Sequence, residues 1–160
     1  MTQNEIIRLK LEFLRDFQQK NPTSHVGGSI GLFLRGVDLK RDLTHSDLDI
    51  TIDEMNVEET LKYKSRSSGN DFDFSLTHLL SHNYYLKFDI RINPEPSFEI
   101  IEFDGEFYNV SKLRDILFWK QKYSNKGVRK HTNDLITIET GIRPFECSTR
   151  DNYLRDDIPF

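Results

Sequence analysis

The chain has 160 residues, a formal charge of -4 at pH 7, 30% charged and 12% aromatic residues, so it is long enough for one domain with its own core and has the balance of a soluble globular protein. A single cysteine, Cys147, excludes an intramolecular disulfide and any cysteine-rich zinc site, and fits a reducing compartment. The negative balance argues against bulk electrostatic binding to nucleic acid, although a local basic patch could still hold a phosphate backbone. With no long apolar run and a mixed-charge N-terminal stretch, the expectation is a cytoplasmic protein that does not enter a membrane.

Residues 4 to 19 place Ile6, Leu9, Phe13, Leu14 and Phe17 at helical spacing, with Lys10, Glu12, Asp16 and Gln19 largely between them, which predicts an amphipathic helix. Asn21-Pro22 stops it. A short strand over Ser24 to Val26 then leads into the turn Gly27-Gly28-Ser29, and Ile30 to Leu34 opens a second, mostly buried helix that Gly36 ends.

Residues 37 to 46 form a polar loop with Arg41 and His45, read as solvated, and a strand follows from Asp47 to Ile52. Leu48, Ile50 and Ile52 point one way and Asp47, Asp49 and Thr51 the other, the pattern of a half-buried strand. Residues 54 to 71 turn polar, with Ser65 to Asn70 the candidate loop. Strands follow at Phe72 to Leu76, Tyr84 to Ile92, Phe98 to Phe103 and Phe107 to Val110, the last two joined by an Asp104-Gly105 hairpin turn.

Ser111 is placed to cap a helix running to about Tyr123, and Lys130 to Thr140 predicts another. After Gly141 and Pro144 the periodicity is lost, so the tail from 141 to 160 is expected to be irregular. No repeat or linker divides the chain, so residues 1–160 are read as one domain whose core spans about 24–138.

Chemistry enters at the glycine turn. Gly27 and Gly28 let the backbone take left-handed dihedrals and approach a ligand closely, Ser29 can donate to a phosphate oxygen, and the following helix turns its first amides toward the anion. The same three residues also make an ordinary strand-to-helix turn.

Asp47 and Asp49 are the second element. At i and i+2 on a strand their backbones stand roughly 6 to 7 Å apart on one face, within reach of one hard cation or of two bridged ones. Magnesium, or manganese in its place, suits such oxygen donors. A solvated polar face is the alternative, but aspartate is depleted in strands and two in one strand need a reason. Asp89, in the interior of the long alternating run Tyr84 to Ile92, is the preferred third carboxylate, and Asp73 competes with it. A cross-strand ion pair would also account for Asp89.

Lys120 shares the stripe of Leu113, Ile116 and Leu117, so it either snorkels to water or reaches a ligand phosphate. Lys130 and Asp134 are spaced for a helical salt bridge, and His131 falls on the face of Leu135 and Ile138.

Gly28-Ser29 at a helix start, Asp47 with Asp49 on a strand and Asp89 on a neighbouring one together resemble the polymerase-beta-type nucleotidyltransferase superfamily. Lys120 and Lys130-His131-Thr132-Asn133-Asp134 resemble a feature of its small phage and bacterial members. The resemblance implies an α/β fold, a small mixed β-sheet with helices packed mainly on one face. It also implies magnesium-dependent transfer of a nucleoside monophosphate from a nucleoside triphosphate to an acceptor hydroxyl, with pyrophosphate released. Asp47, Asp49 and Asp89 would then be catalytic metal ligands, and Gly27, Gly28, Ser29, Lys120 and Lys130 would bind the nucleotide. The segment between Ser29 and Asp47 is longer than the superfamily usually has, an excess that a surface loop over Val37 to His45 would absorb.

The acceptor stays open among an RNA end, a protein hydroxyl and a small molecule. Two other classes share the fold: a nucleotide-binding module without turnover, and the toxin half of a pair whose small protein partner occludes the site. Retention of all three acidic positions disfavours the first.

Overall fold

The computed structural model describes residues 2–53, 66–69, 73–81, 84–94 and 97–145. Expectations for 54–65, 70–72 and the tail beyond 145 lie outside the described residues. In chain order the elements are α1 (Gln3–Lys20), β1 (His25–Gly27), α2 (Gly28–Leu34), β2 (Leu48–Ile52), β3 (Arg66–Gly69), β4 (Asp73–Ser81), β5 (Tyr84–Ile92), β6 (Phe98–Phe103), β7 (Glu106–Ser111), α3 (Leu113–Asn125) and α4 (Arg129–Thr140). The described strands form one seven-stranded sheet in the order β3-β4-β5-β2-β1-β7-β6. It is mixed: β2 runs parallel to β5 and β1 parallel to β7, and the other neighbours are antiparallel. The expected mixed sheet in an α/β fold is present.

Alternation decides which way each strand faces. Leu48, Ile50 and Ile52 of β2 and Leu86, Phe88 and Ile90 of β5 are buried, and the register pairs Leu48 with Phe88 and Ile50 with Ile90. Val26 of β1 and Val110 of β7 continue this apolar face across the sheet. α1 lies on it, with the Phe13 ring 5.1 Å and the Phe17 ring 6.1 Å from Phe88. α2 follows farther along, Phe33 standing 5.0 Å from Phe103 of β6. The helices are not confined to that face, however. α3 packs Ile116 against the β1–α2 turn and lays Trp119 over Arg91 on the opposite, polar face.

Several elements depart from expectation for tertiary reasons. Residues Arg66–Gly69, read as loop, pair with β4, because a neighbouring strand supplies the ladder that a Ser/Gly-rich sequence does not announce. β4 runs on to Ser81 along β5 instead of stopping at Leu76. Ser111 ends β7 and does not cap α3; its hydroxyl is engaged by His25 Nδ1 at 2.7 Å, and Lys112 takes the cap position. The segment between α2 and β2 is no free surface loop, since Leu39 and Leu43 are buried in the core. The Asp104-Gly105 turn is as expected: both residues have positive φ, 52° and 78°, which fits the right-handed twist of the β6–β7 hairpin. Gly141, left-handed at φ 77°, ends α4.

Two buried polar side chains of α1 act as joinery. Gln18 donates to Asn109 O and accepts from Asn109 N, both at 2.8 Å, standing in for a strand beside β7 where three-residue β1 does not reach. Lys10, expected among the polar positions of the helix, is buried, and its ammonium donates to the carbonyls of Thr44 (2.5 Å), Ser46 (2.7 Å) and Leu43 (3.4 Å). It thereby fixes the four residues that lead into Asp47.

Candidate active site

The polar face of the sheet gathers the predicted carboxylates. Parallel pairing of β2 with β5 sets Asp49 directly across from Asp89, and antiparallel pairing with β1 sets Gly27 across from Asp49. Gly28 has φ +59°, and a β-carbon there would collide with the Asp49 carboxylate, so the turn closes over Asp49 only because it is glycine. Asp47, one residue before β2, is half-buried, with the Lys87 ammonium 3.7 Å away. One oxygen of Asp89 accepts a hydrogen bond from the Ser75 hydroxyl of β4. Asp73 stands at the register position opposite Arg91, two pairs farther along than the Ser75–Asp89 pair.

These carboxylates are held in mutual repulsion. Asp49 is an exposed position of β2 whose carboxylate opens into a pocket; the protein packed around that carboxylate and then the charges of Asp89 and Asp47 push it up to about 7, against the pull of Arg91 and Lys120. Burial followed by Asp89 raises Asp47 to about 6, with Lys87, Lys130 and Lys10 opposing. Two carboxylates that resist ionising beside a third are matched to a hard divalent cation, which removes the repulsion and takes oxygen donors. Among the described residues no three His, Cys, Asp or Glu side chains stand close enough together, as placed, to hold a metal ion.

A pocket of about 430 Å³ spreads from this cluster under α3. Gly27, Gly28, Asp49 and Asp89 line its acidic end, Lys120 and His131 one wall, and Arg91, Trp119 and Tyr123 another. The Arg91 guanidinium lies 3.7 Å from the Trp119 ring centroid and donates to the Tyr123 hydroxyl at 3.3 Å.

Behind the turn stands a buried cationic cluster. Ser29 Oγ accepts from Arg41 Nη2 at 2.7 Å and from Lys120 Nζ at 3.1 Å. Arg41 also grips Asp134 with two nitrogens, each at 2.9 Å, while Lys120 and Arg143 each reach the same carboxylate at 2.7 Å. Asp134, wholly buried, is held far below the ordinary carboxylate range by Arg41 and Lys120 despite its burial. One carboxylate thus serves three cations and leaves an excess of positive charge beside Ser29. Burial pulls Lys120 down to about 8 although Asp134 opposes it. His131 is driven well below its usual value by burial and then by Lys120 and Lys130, so it is neutral, with Nδ1 3.2 Å from Lys120 Nζ and its ring 5.1 Å from Tyr123.

Most of the site residues named from the sequence are therefore neighbours. Gly27, Gly28, Asp49, Asp89 and Lys120 share the pocket; Ser29 joins it through Lys120, whereas Asp47 does not line it and stands 3.7 Å from the Lys87 ammonium. Lys130 is half-buried, with its charge felt by both Asp47 and Lys120. Lys120 does not snorkel: it is 2% exposed. Three expectations are corrected. Asp134 pairs with Arg41, Lys120 and Arg143, where a helical pair with Lys130 was expected; His131 turns to the pocket; and Arg41 is no solvated loop residue. From the sequence alone Lys10 and Arg143 do not read as site residues, Arg41 could approach the triphosphate but reads as solvated, and Asp134 reads as half of a helical pair, because the partners that decide their roles lie 9 to 93 residues away. One signal was legible: a lysine on an apolar stripe implies a buried carboxylate somewhere.

Comparison with protein-family models, with curated proteins and with solved structures finds no match for this chain. No helix among the described residues is long and apolar enough to cross a membrane.

Proposed function

We propose that the chain is a divalent-metal-dependent nucleotidyltransferase. The observation that carries this reading is the register: Asp49 and Asp89 face each other across parallel strands, under a glycine turn whose serine is gripped by Arg41 and Lys120. Acid on one side and excess cationic charge on the other suit a metal-bound triphosphate.

Asp47, Asp49 and Asp89 are the side chains that would hold the metal. When bound, it would neutralise phosphate charge and lower the pKa of the acceptor hydroxyl. Ser29 accepts from two cations and keeps its own proton to donate to a phosphate oxygen. Arg41 and Lys120 lie where charge on a departing pyrophosphate would be offset. Asp89 has one oxygen engaged by Ser75, and the other is available to take the acceptor's proton. The acceptor oxygen bonds to the α-phosphorus, the bond from that phosphorus to the bridging oxygen breaks, and pyrophosphate leaves with the electron pair.

Incubation with each labelled triphosphate, magnesium and a total cell extract, followed by separation of RNA, protein and small molecules, tests the reading. Label should enter one fraction and vanish with Asp47→Asn or Asp49→Asn, both of which keep side-chain size. Near-normal labelling by both variants would sink the assignment.

A further inference from the structure

The chain is acidic overall, yet residues 112–130 contain seven lysines and arginines and a single acid, Asp115. This stretch comprises α3 and the turn into α4, the roof of the pocket. Lys120 is spent on Asp134, but Arg114, Phe118 and Lys122, at i, i+4 and i+8, form an exposed row along one side of α3. Arg114 is 77% exposed and Phe118 62% exposed, and both line the rim of the pocket that holds Asp49 and Asp89. Lys122 continues the row, its ammonium 4.7 Å from the Trp119 ring centroid; the Phe118 and Trp119 rings are 5.6 Å apart.

We propose that the Arg114–Phe118–Lys122 face of α3 is a track for a single-stranded nucleic acid whose terminal hydroxyl enters the pocket as the acceptor. The inference rests on the nucleotidyl-transfer reading and supplies its acceptor class. Cation, exposed aromatic ring and cation in succession match alternating phosphates and bases: the charges take the backbone and the ring takes a base face. A duplex keeps its bases stacked on one another and offers Phe118 nothing, and a small acceptor held inside the pocket would not use a charged row outside it. The six cations of this stretch other than Lys120, in a net-negative chain, also steer a polyanion to this mouth.

The test is fluorescence anisotropy with labelled single-stranded oligonucleotides of about ten nucleotides, within the usual footprint of such grooves. It compares the whole protein, Phe118→Ala and the double variant Arg114→Gln/Lys122→Gln, with melting curves to confirm folding. All three side chains are exposed, so the fold should survive. Phe118→Ala should weaken binding about fivefold or more. The double variant should lower the slope of log K against log salt by about 1.4, two single-strand phosphate contacts. Both should bind a non-hydrolysable magnesium-triphosphate analogue as the unaltered protein does. No oligonucleotide binding at about 50 mM salt, unchanged binding in both variants, or preference for a duplex would overturn the proposal. Triphosphate turnover onto protein hydroxyls without oligonucleotide binding would bring down the track alone. Oligonucleotide binding with no triphosphate binding would bring down nucleotidyl transfer and the acceptor role, leaving α3 a binding face.

Discussion

At the scale of residues, Asp49 and Asp89 show what strand register can impose. Two carboxylates fixed opposite each other, with a third one turn of the pleat away, cost stability until a cation arrives. Asp49→Asn should therefore raise the melting temperature of the metal-free protein at pH 8 while abolishing magnesium-triphosphate binding; a lower melting temperature would mean that Asp49 is chiefly paired, not repelled. Asp89→Asn should cut transfer by orders of magnitude yet leave triphosphate binding nearly intact, since Asp47 and Asp49 remain, and single-turnover assays beside analogue binding separate the two effects. Lys10 is the structural counterpart. Lys10→Met removes a donor shared by three carbonyls; Leu43 O and Thr44 O keep the Ser46 amide and the Tyr84 hydroxyl, Ser46 O is hit hardest, and urea unfolding should show a loss of roughly 1 to 3 kcal/mol. A loss below about 1 kcal/mol would mean that water replaces the ammonium readily.

At the scale of elements, the β1–α2 turn and the segment from Val37 to Ser46 bring the two halves of the site together. The turn needs glycine at one position for two reasons, φ +59° and the adjacent carboxylate. Gly28→Ala should cost roughly 1 to 2 kcal/mol from the left-handed backbone, and displacement of Asp49 should weaken magnesium-triphosphate binding more than tenfold, read by calorimetry. Affinity equal to that of the unaltered protein would show that the turn can yield without moving Asp49. The intervening segment looked like an insertion of little consequence. Its buried leucines and the Arg41–Asp134 clamp show that it locks α2 to α4, and Arg41 comes to Ser29 by that route.

At the scale of the whole molecule, the acid cluster ties stability to pH and to metal. Folded Asp47 and Asp49 hold their protons up to about 6 and about 7, whereas an unfolded aspartate releases its proton near 3.8. Between these values the native state binds more protons, so the contribution of these two groups is greatest at low pH and falls as pH rises through 7. Magnesium should offset that fall by binding the ionised cluster. Its effect on the melting temperature should be larger at pH 8 than at pH 5, measured by scanning calorimetry; an equal shift at both would place the ion elsewhere.

What the sequence determined by itself was local. Alternation over Leu48 to Ile52 and Tyr84 to Ile92 set which side chains face together, the spacing of Phe13, Leu14 and Phe17 marked the buried side of α1, and Asp104-Gly105 marked its hairpin. These follow from backbone periods of 2 and 3.6 and from turn sterics, which neighbouring residues carry with them. Only the tertiary structure decided that β2 lies beside β5, that Asp134 gathers Arg41, Lys120 and Arg143, and that the cationic row of α3 borders the acidic pocket. Each depends on residues far apart in the chain, and their contacts are fixed by the burial of one shared core, which no local pattern encodes.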